Sequence, residues 1–374
     1  MGLHIDFAWR SFVWNSEATD KAHVHVVIVA FSDGAKGNPF LMTNGGSVGM
    51  KNINGYLLDA PNVCVERLSL PLSDVPIMKT GSLPRSSAFT VTKEERSVMI
   101  GRAPLCEKWI RPYIGSNEFL NGGERYCLWL KHAAPDEIRK CPDVQKRVQQ
   151  VREDRLASPA ETTRRVAATP TLFAVDAQPD TPYLAVPQVS SERRFYLPMA
   201  FETQDVIASN LLFILPGATL YHFGVLTSSV HMGWMRTVAG RLKSDYRYSV
   251  DIVYNAFVWP EPTEAQRAKI EKTAQAILDA RALYPDSSLA DLYDETTMPA
   301  ELRKAHRAND AAVLAAYGFK TDASEGEIVA SLMKLYQRKA AEVKREEADR
   351  KPAKKRARKK VAAKANEKPA DAIA

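Results

Sequence analysis

The chain opens on strand periodicity: Leu3, Ile5, Phe7 and Trp9 alternate with His4, Asp6 and Arg10, and Phe12 and Trp14 follow. A second apolar run at 24–31 (VHVVIVAF) is almost purely β-branched and predicts a strand buried on both faces. Residues 15–20 between them predict a turn or short loop. Two core-grade strands with nothing before them read as the last strands of a larger sheet whose remainder is missing or supplied in trans. From 32 to 104 the chain is rich in Gly, Asn, Ser and Pro, predicting loops and short strands. At 107–130 (EKWIRPYIGSNEFLNGGERYCLWL), Trp109, Ile110, Tyr113 and Ile114 lead through an Asn121-Gly122-Gly123 turn into a strand at 125–130. Asn-Gly-Gly between apolar runs is a hairpin signal.

The period then lengthens. Between 135 and 165 a charged helix is predicted, with Val144, Val148, Val151 and Leu156 as its inner stripe and its charges solvated. At 183–198 two strand-like runs (184–189 and 195–197) flank a polar tip, Ser190-Ser191-Glu192-Arg193-Arg194. In 221–260, Val225, Leu226, Val230, Trp234, Met235 and Val238 fall at helical spacing. A basic, hydroxyl-rich segment follows at 241–249, and then an apolar, strand-like run at 250–259 ending in Pro260. Beyond it Thr263 and Gln266 form a capping box for a helix carrying Ile270, Ala274, Ile277 and Arg281 on one face. Pro299 opens a second helix with Leu302, Ala305, Val313, Ala316 and Tyr317 inward. Ser324 and Glu327 cap a third, carrying Ile328, Leu332 and Leu335. Together these predict a compact helical domain of roughly 75 residues.

Composition changes the picture in one place. The net charge is +7, and residues 339–374 hold 13 Lys+Arg against 6 Asp+Glu, so the tail carries all of it and the body is neutral. A basic surface on the body is therefore local. The aromatic-free tail is expected to be disordered or transiently helical, binding polyanions weakly and salt-dependently. No run of about 18 apolar residues is present, which predicts no transmembrane helix and no membrane partner. The N-terminus shows no signal peptide. Cys64, Cys106, Cys127 and Cys141 stand far apart without a C-x-x-C pair, which argues against a zinc ribbon or disulfide scaffold and fits a reducing cytoplasm.

Little here equips a catalyst. No glycine-rich turn follows a strand at cofactor-cradling spacing, and there is no P-loop, G-x-S-x-G or H-E-x-x-H. His23/His25 and His222/His231 lack further ligands at metal spacing. Asn38-Pro39-Phe40 is similar to the N/D-P-P-Y/F tetrapeptide that holds a flipped adenine in amino-methyltransferases, but lacks the second proline and follows the strands. Arg, Lys, Ser and Tyr are the side chains that hold phosphate oxygens, so 241–249 is a candidate DNA-backbone surface, with a solvated basic loop as the alternative.

Long strings carry a resemblance. FAWRSFVWNSEA (7–18), EKWIRPYIGSNEFLNGGERYCLWL (107–130), VREDRLAS (151–158), TPTLF (169–173), VPQVSSERRFYLP (186–198), VIASN (206–210) and LTSSVHMGWMRTVAGRLKSDYRYSVDIVYNAFVWPEP (226–262) resemble, collinearly, the C-terminal half of MmeI-like DNA methyltransferases. These are restriction–modification proteins that methylate adenine N6 with S-adenosylmethionine. FVWPEPTEAQRAKIEKTAQAIL is also similar to the strand–Pro–helix junction of type I specificity subunits.

The resemblance implies an α+β chain: terminal methyltransferase strands (1–32), a mixed-β target recognition domain (33–220), a helical brace and C-terminal helical domain (221–338), and the disordered basic tail (339–374). It implies double-stranded DNA as partner and a methyltransferase half in trans that binds S-adenosylmethionine. No catalytic, cofactor-binding or metal-binding residue carries over to this chain. Glu192, Arg193 and Arg194 are expected to read base edges, because Arg pairs with guanine and Glu with cytosine N4. Arg236, Arg241, Lys243, Ser244, Tyr246, Arg247 and Tyr248 are expected on the backbone, with Trp234 as core support. An autonomous DNA methyltransferase and a non-catalytic nucleic-acid-binding interaction protein are the competing readings.

Overall fold

The computed structural model describes residues 3–14, 24–34, 37–43 and 46–366; the side chains of residues 11, 13, 14, 24, 25 and 346–366 lie outside that description. The linker at 15–20, His23 and the His25 side chain therefore fall outside it as well. The first strand, His4–Trp14, is central in a sheet of four. It pairs antiparallel with Val24–Ser32 (Ala8 opposite Val29) and parallel with Phe40–Thr43, which turns back onto Gly46–Gly49. Ala8, Leu41 and Ile53 are buried there. Val27, Ile28, Val29 and Phe31 are 37–63% exposed, so among the described residues the second strand is not covered on both faces. Asn38 is exposed and Phe40 stacks on Phe7 at 5.3 Å, so the Asn-Pro-Phe tripeptide starts a strand instead of shaping an adenine clamp.

A second sheet has Tyr183–Pro187 inside it, all five residues buried, with Ala200–Glu202 on one side and Leu212–Pro216 then Lys79–Thr80 on the other. Strand alternation divides its side chains. Leu184, Val186, Phe213 and Leu215 join the large core, while Tyr183, Ala185, Leu212 and Ile214 pack with Phe119 and Leu120. The strand returning from the polar tip is Ala200–Glu202, not 195–197. A third sheet orders Ile207–Ala208, Ile110–Ile114, Tyr126–Leu128 and Thr90–Val91. Ile110 pairs with Leu128 as the hairpin signal requires, but the connection contains a helix, Ser116–Asn121. Gly122, at φ +76°, ends that helix in the left-handed conformation a side chain disfavours. The Asn-Gly-Gly is thus a helix stop.

The helix Pro142–Leu156 covers this sheet with Val144 and Val151. Leu156 is 54% exposed, so the predicted stripe ends at Val151. Arg155 departs from the solvated reading: it is fully buried and donates to the carbonyls of Pro84, Val166, Thr169 and Leu172.

The helical stripe at 225–238 forms two helices, Leu220–Leu226 and Ser229–Val238. Thr227 and Ser228 hydroxyls donate to the Phe223 and Val225 carbonyls, and Ser228 Oγ accepts from His231 N–H, so both hydroxyls of the turn are paired. The run at 250–259 is not a strand. Val250–Tyr254 is a π-helical turn in which Asn255 N–H reaches Val250 O, and Val253, Tyr254, Ala256 and Phe257 are fully buried. A mostly apolar run without clear period suits either conformation, and Asn255 Nδ2 on Leu68 O together with Leu72 N–H on Asn255 O holds the turn.

The C-terminal helices are Glu264–Ala282, Leu289–Leu292, Ala300–Tyr317 and Glu325–Asn366. The capping boxes at Thr263/Gln266 and Ser324/Glu327 form as read. Gly224 permits close approach: a Cβ there would lie 2.7 Å from Ile270 Cγ2. The stretch read as a disordered or transiently helical tail continues the last helix as backbone to Asn366.

Candidate nucleic-acid interface

The two groups of candidate residues meet on one small sheet, whose strand order is Val189–Ser190, Asp245–Arg247, Gly240–Leu242. Val189 pairs with Arg247 and Ser190 with Tyr246, while Arg241 pairs with Tyr246 across the hairpin. The turn of that hairpin is Lys243-Ser244, with Lys243 at φ +56°. The polar turn Glu192-Arg193 leaves the neighbouring strand beside it, closed by Arg194 N–H on Ser191 O and Arg193 N–H on Ser191 Oγ.

Alternation sorts 245–248, with Tyr246 and Tyr248 inward and Arg247 outward, while 241–243 are exposed throughout. Arg241, Lys243, Arg247, Glu192 and Arg193 are exposed. Lys243, Arg247 and Arg193 make no ion pair among the described residues. Arg241 lies 3.7 Å over the Tyr246 ring, donates to Ser244 O, and comes within 3.9 Å of Glu192 Oε2. It thereby ties the hairpin to the polar turn. Arg194 is half-buried; burial lowers its pKa, opposed by the carboxylates of Asp245 and Asp294.

Other candidates are engaged elsewhere. Tyr248 is 3% exposed, with its hydroxyl 3.0 Å from His231 Nε2. Burial drives the His231 pKa down to about 3, so the imidazole is neutral and this contact is internal. Tyr246 is buried beneath Arg241, and Ser244 is half-buried. Arg236 does not join the exposed group: it makes a forked ion pair with Glu325 and donates to Phe195 O at 2.8 Å. Trp234 is buried, its Nε1 donating to Val253 O. The exposed Phe195 and Leu242, 52% and 53% accessible, flank the cations and were not anticipated. The alternation Asp245-Tyr246-Arg247-Tyr248 is the sequence signal that both tyrosines face inward.

His222 instead serves a cap, its Nδ1 accepting from Thr219 N–H. Among the described residues no cluster of ligating side chains could hold a metal ion. No helix there is long and apolar enough to cross a membrane.

The model of the MmeI target recognition domain matches residues 59–261, more than half of the chain. The chain belongs to the MmeI family. The MmeI C-terminal domain model matches residues 262–344, and the MmeI DNA-methyltransferase domain model matches residues 1–43. DNA methyltransferase A of Bacillus subtilis (strain 168) is 40% identical over 341 residues, which cover 90% of this chain and 38% of that protein. The structure of the Type IIL restriction-modification enzyme MmeI in complex with DNA superposes with a TM-score of 0.83 at 42% identity, covering 91% of this chain and 46% of that one. The chain thus spans less than half the length of either relative. Against this MmeI frame, the small sheet lies at the end of the recognition-domain match, where the helical domain begins.

Proposed function

We propose that this chain is the DNA-sequence-recognition part of a restriction–modification adenine-N6 methyltransferase. The observation that carries the reading is the small sheet on which the Glu192-Arg193-Arg194 turn adjoins the basic hairpin. A recognition surface needs two kinds of contact. Phosphate contacts set register, and forked donors and acceptors on base edges choose sequence. Lys243, Arg247 and Arg241 supply exposed cations for the first. Glu192, Arg193 and Arg194 supply the second, a correct pairing being worth about 1–3 kcal/mol over a wrong base. Tyr246 and Tyr248 hold the sheet from behind, while Ser244 closes the hairpin turn and Arg236 is engaged with Glu325 and Phe195. The adenine is flipped out of the duplex into a methyltransferase domain that binds S-adenosylmethionine and acts as this chain's partner.

The test is binding to duplexes with a randomised central segment. The chain should enrich one sequence. Arg193→Ala and Arg194→Ala should relax preference at defined positions, whereas Lys243→Ala and Arg247→Ala should weaken all duplexes alike. Enrichment of no sequence overturns the reading. Co-expression with a family methyltransferase domain, read out as adenine methylation, tests the partnership. Binding of labelled S-adenosylmethionine by the chain alone would favour an autonomous enzyme instead.

A further inference from the structure

The segment that follows the polar turn is held residue by residue from the helical domain. Phe195 O accepts from Arg236, whose guanidinium lies 4.8 Å over the Phe195 ring and is fixed by Glu325. Tyr196 stacks on His306 at 4.0 Å, and its hydroxyl donates to Asp310 at 2.6 Å. The other Asp310 oxygen accepts from Ser229 N–H, which locks the carboxylate against the start of the Ser229–Val238 helix. Leu197 N–H points at Met232 Sδ. Met199 O accepts from Arg281 at 2.6 Å, and Arg281 in turn holds Tyr293, which bonds to His306. On the other side of the turn, Val189 and Ser190 are fixed by the hairpin. Among the described residues the turn carries two local bonds to Ser191 and the 3.9 Å contact of Glu192 with Arg241. The grip on its C-terminal side runs through Arg236 and Met232 and is backed by Asp310, Glu325, His306 and Arg281, all four within the region that matches the C-terminal domain.

We propose that Asp310 and Glu325 are positioning residues for DNA specificity: the helical domain aims the Glu192–Arg194 turn without itself reading a base. This rests on the assignment of that turn as the base reader. A reading group misplaced by about an ångström loses its forked hydrogen bonds while the charge it contributes to phosphate attraction is unchanged. The consequence is a loss of specificity separable from a loss of affinity.

The test uses the full chain and the duplex it enriches from the randomised library, compared with a scrambled duplex. Asp310→Asn and Glu325→Ala should lower the ratio of specific to scrambled affinity about tenfold, with scrambled-duplex affinity held within about twofold. Glu325→Asp, which keeps the acceptor pair for Arg236, should recover most of the ratio. Amide exchange at 191–195 should quicken in the two damaging variants at a temperature where circular dichroism reports a folded chain. Should Asp310→Asn fail to fold, Tyr196→Phe removes the same hydrogen bond and takes the same measurement. Equal loss on both duplexes, or an unchanged ratio, overturns the positioning role, provided Glu192→Gln and Arg194→Ala lower the ratio. If those two variants leave the ratio intact, the assignment of the turn fails, and the positioning role fails with it.

Discussion

Arg155 is a guanidinium buried without a carboxylate, and its replacement has a calculable cost. Its Nη1 donates to Val166 O at 2.9 Å and Thr169 O at 3.1 Å; its Nη2 donates to Pro84 O at 2.6 Å and Leu172 O at 2.8 Å. The cation also sits 5.5 Å from the Phe89 ring. Burial lowers its pKa, yet guanidinium remains charged at neutral pH. Arg155→Ala removes all four bonds; Val166 O keeps the Thr169 N–H and hydroxyl and Thr169 O keeps the Leu172 N–H, whereas Pro84 O and Leu172 O lose their side-chain donor. At about 1 kcal/mol net for each bond, partly offset by relief of the buried charge, the loss is about 2–4 kcal/mol. Arg155→Lys keeps the charge, but one ammonium cannot span both carbonyl pairs, so roughly half of that loss, about 1–2 kcal/mol, is expected. Urea unfolding gives the totals. Amide exchange at Val175, whose N–H bonds to Leu83 O beside these loops, locates the damage. A loss under about 1 kcal/mol for Arg155→Ala, or a lysine variant equal to the parent, would refute the reasoning.

Burial raises the Glu202 pKa from 4.5 to about 7, so this group's contribution favours folding below about pH 4.5 and is lost as pH rises through 7. Glu202→Gln should stabilise the chain at pH 8 by about 1–2 kcal/mol and do nothing at pH 4, measured by thermal melts at both pH values. Gly224→Ala should cost about 1–3 kcal/mol because its Cβ meets Ile270 and Ala274, whereas Gly326→Ala, with open space at its Cβ, should be neutral or stabilising; a stabilised Gly224→Ala would contradict the packing. Alanine at Lys243 and Arg247 together should reduce the slope of log affinity against log salt by about 2, and an unchanged slope would remove both from the phosphate surface.

Local grammar explains what could be read in advance. The boxes at Thr263/Gln266 and Ser324/Glu327 are contained within four residues, so the helices they start were legible without tertiary information. The family strings at 107–130 and 226–262 were likewise legible as strings. The failures have a common cause. Residues 250–259 are mostly apolar without a decisive period, and long-range bonds select a π turn over a strand: Asn255 Nδ2 on Leu68 O, Leu68 N–H on Asp251 O and Leu72 N–H on Asn255 O. Arg155 looks like any helix-surface cation until four loop carbonyls converge on it. Tyr248 has phosphate-binding chemistry, and its neighbour His231, folded back from a preceding helix, removes it from the surface. In each case the deciding partner is distant in sequence.

The strand Asp245–Arg247 turns its tyrosine inward and its arginine outward, and the turns at Lys243-Ser244 and Glu192-Arg193 carry exposed charges at its margin. Substitutions at those exposed positions touch neither Tyr246 nor the Tyr248–His231 contact, so they cost little fold stability. If those turns read bases as proposed, a lineage could exchange one preferred DNA sequence for another through single, individually tolerated changes, while the interior keeps the form of its relatives. Divergence in preference can then outrun divergence in structure.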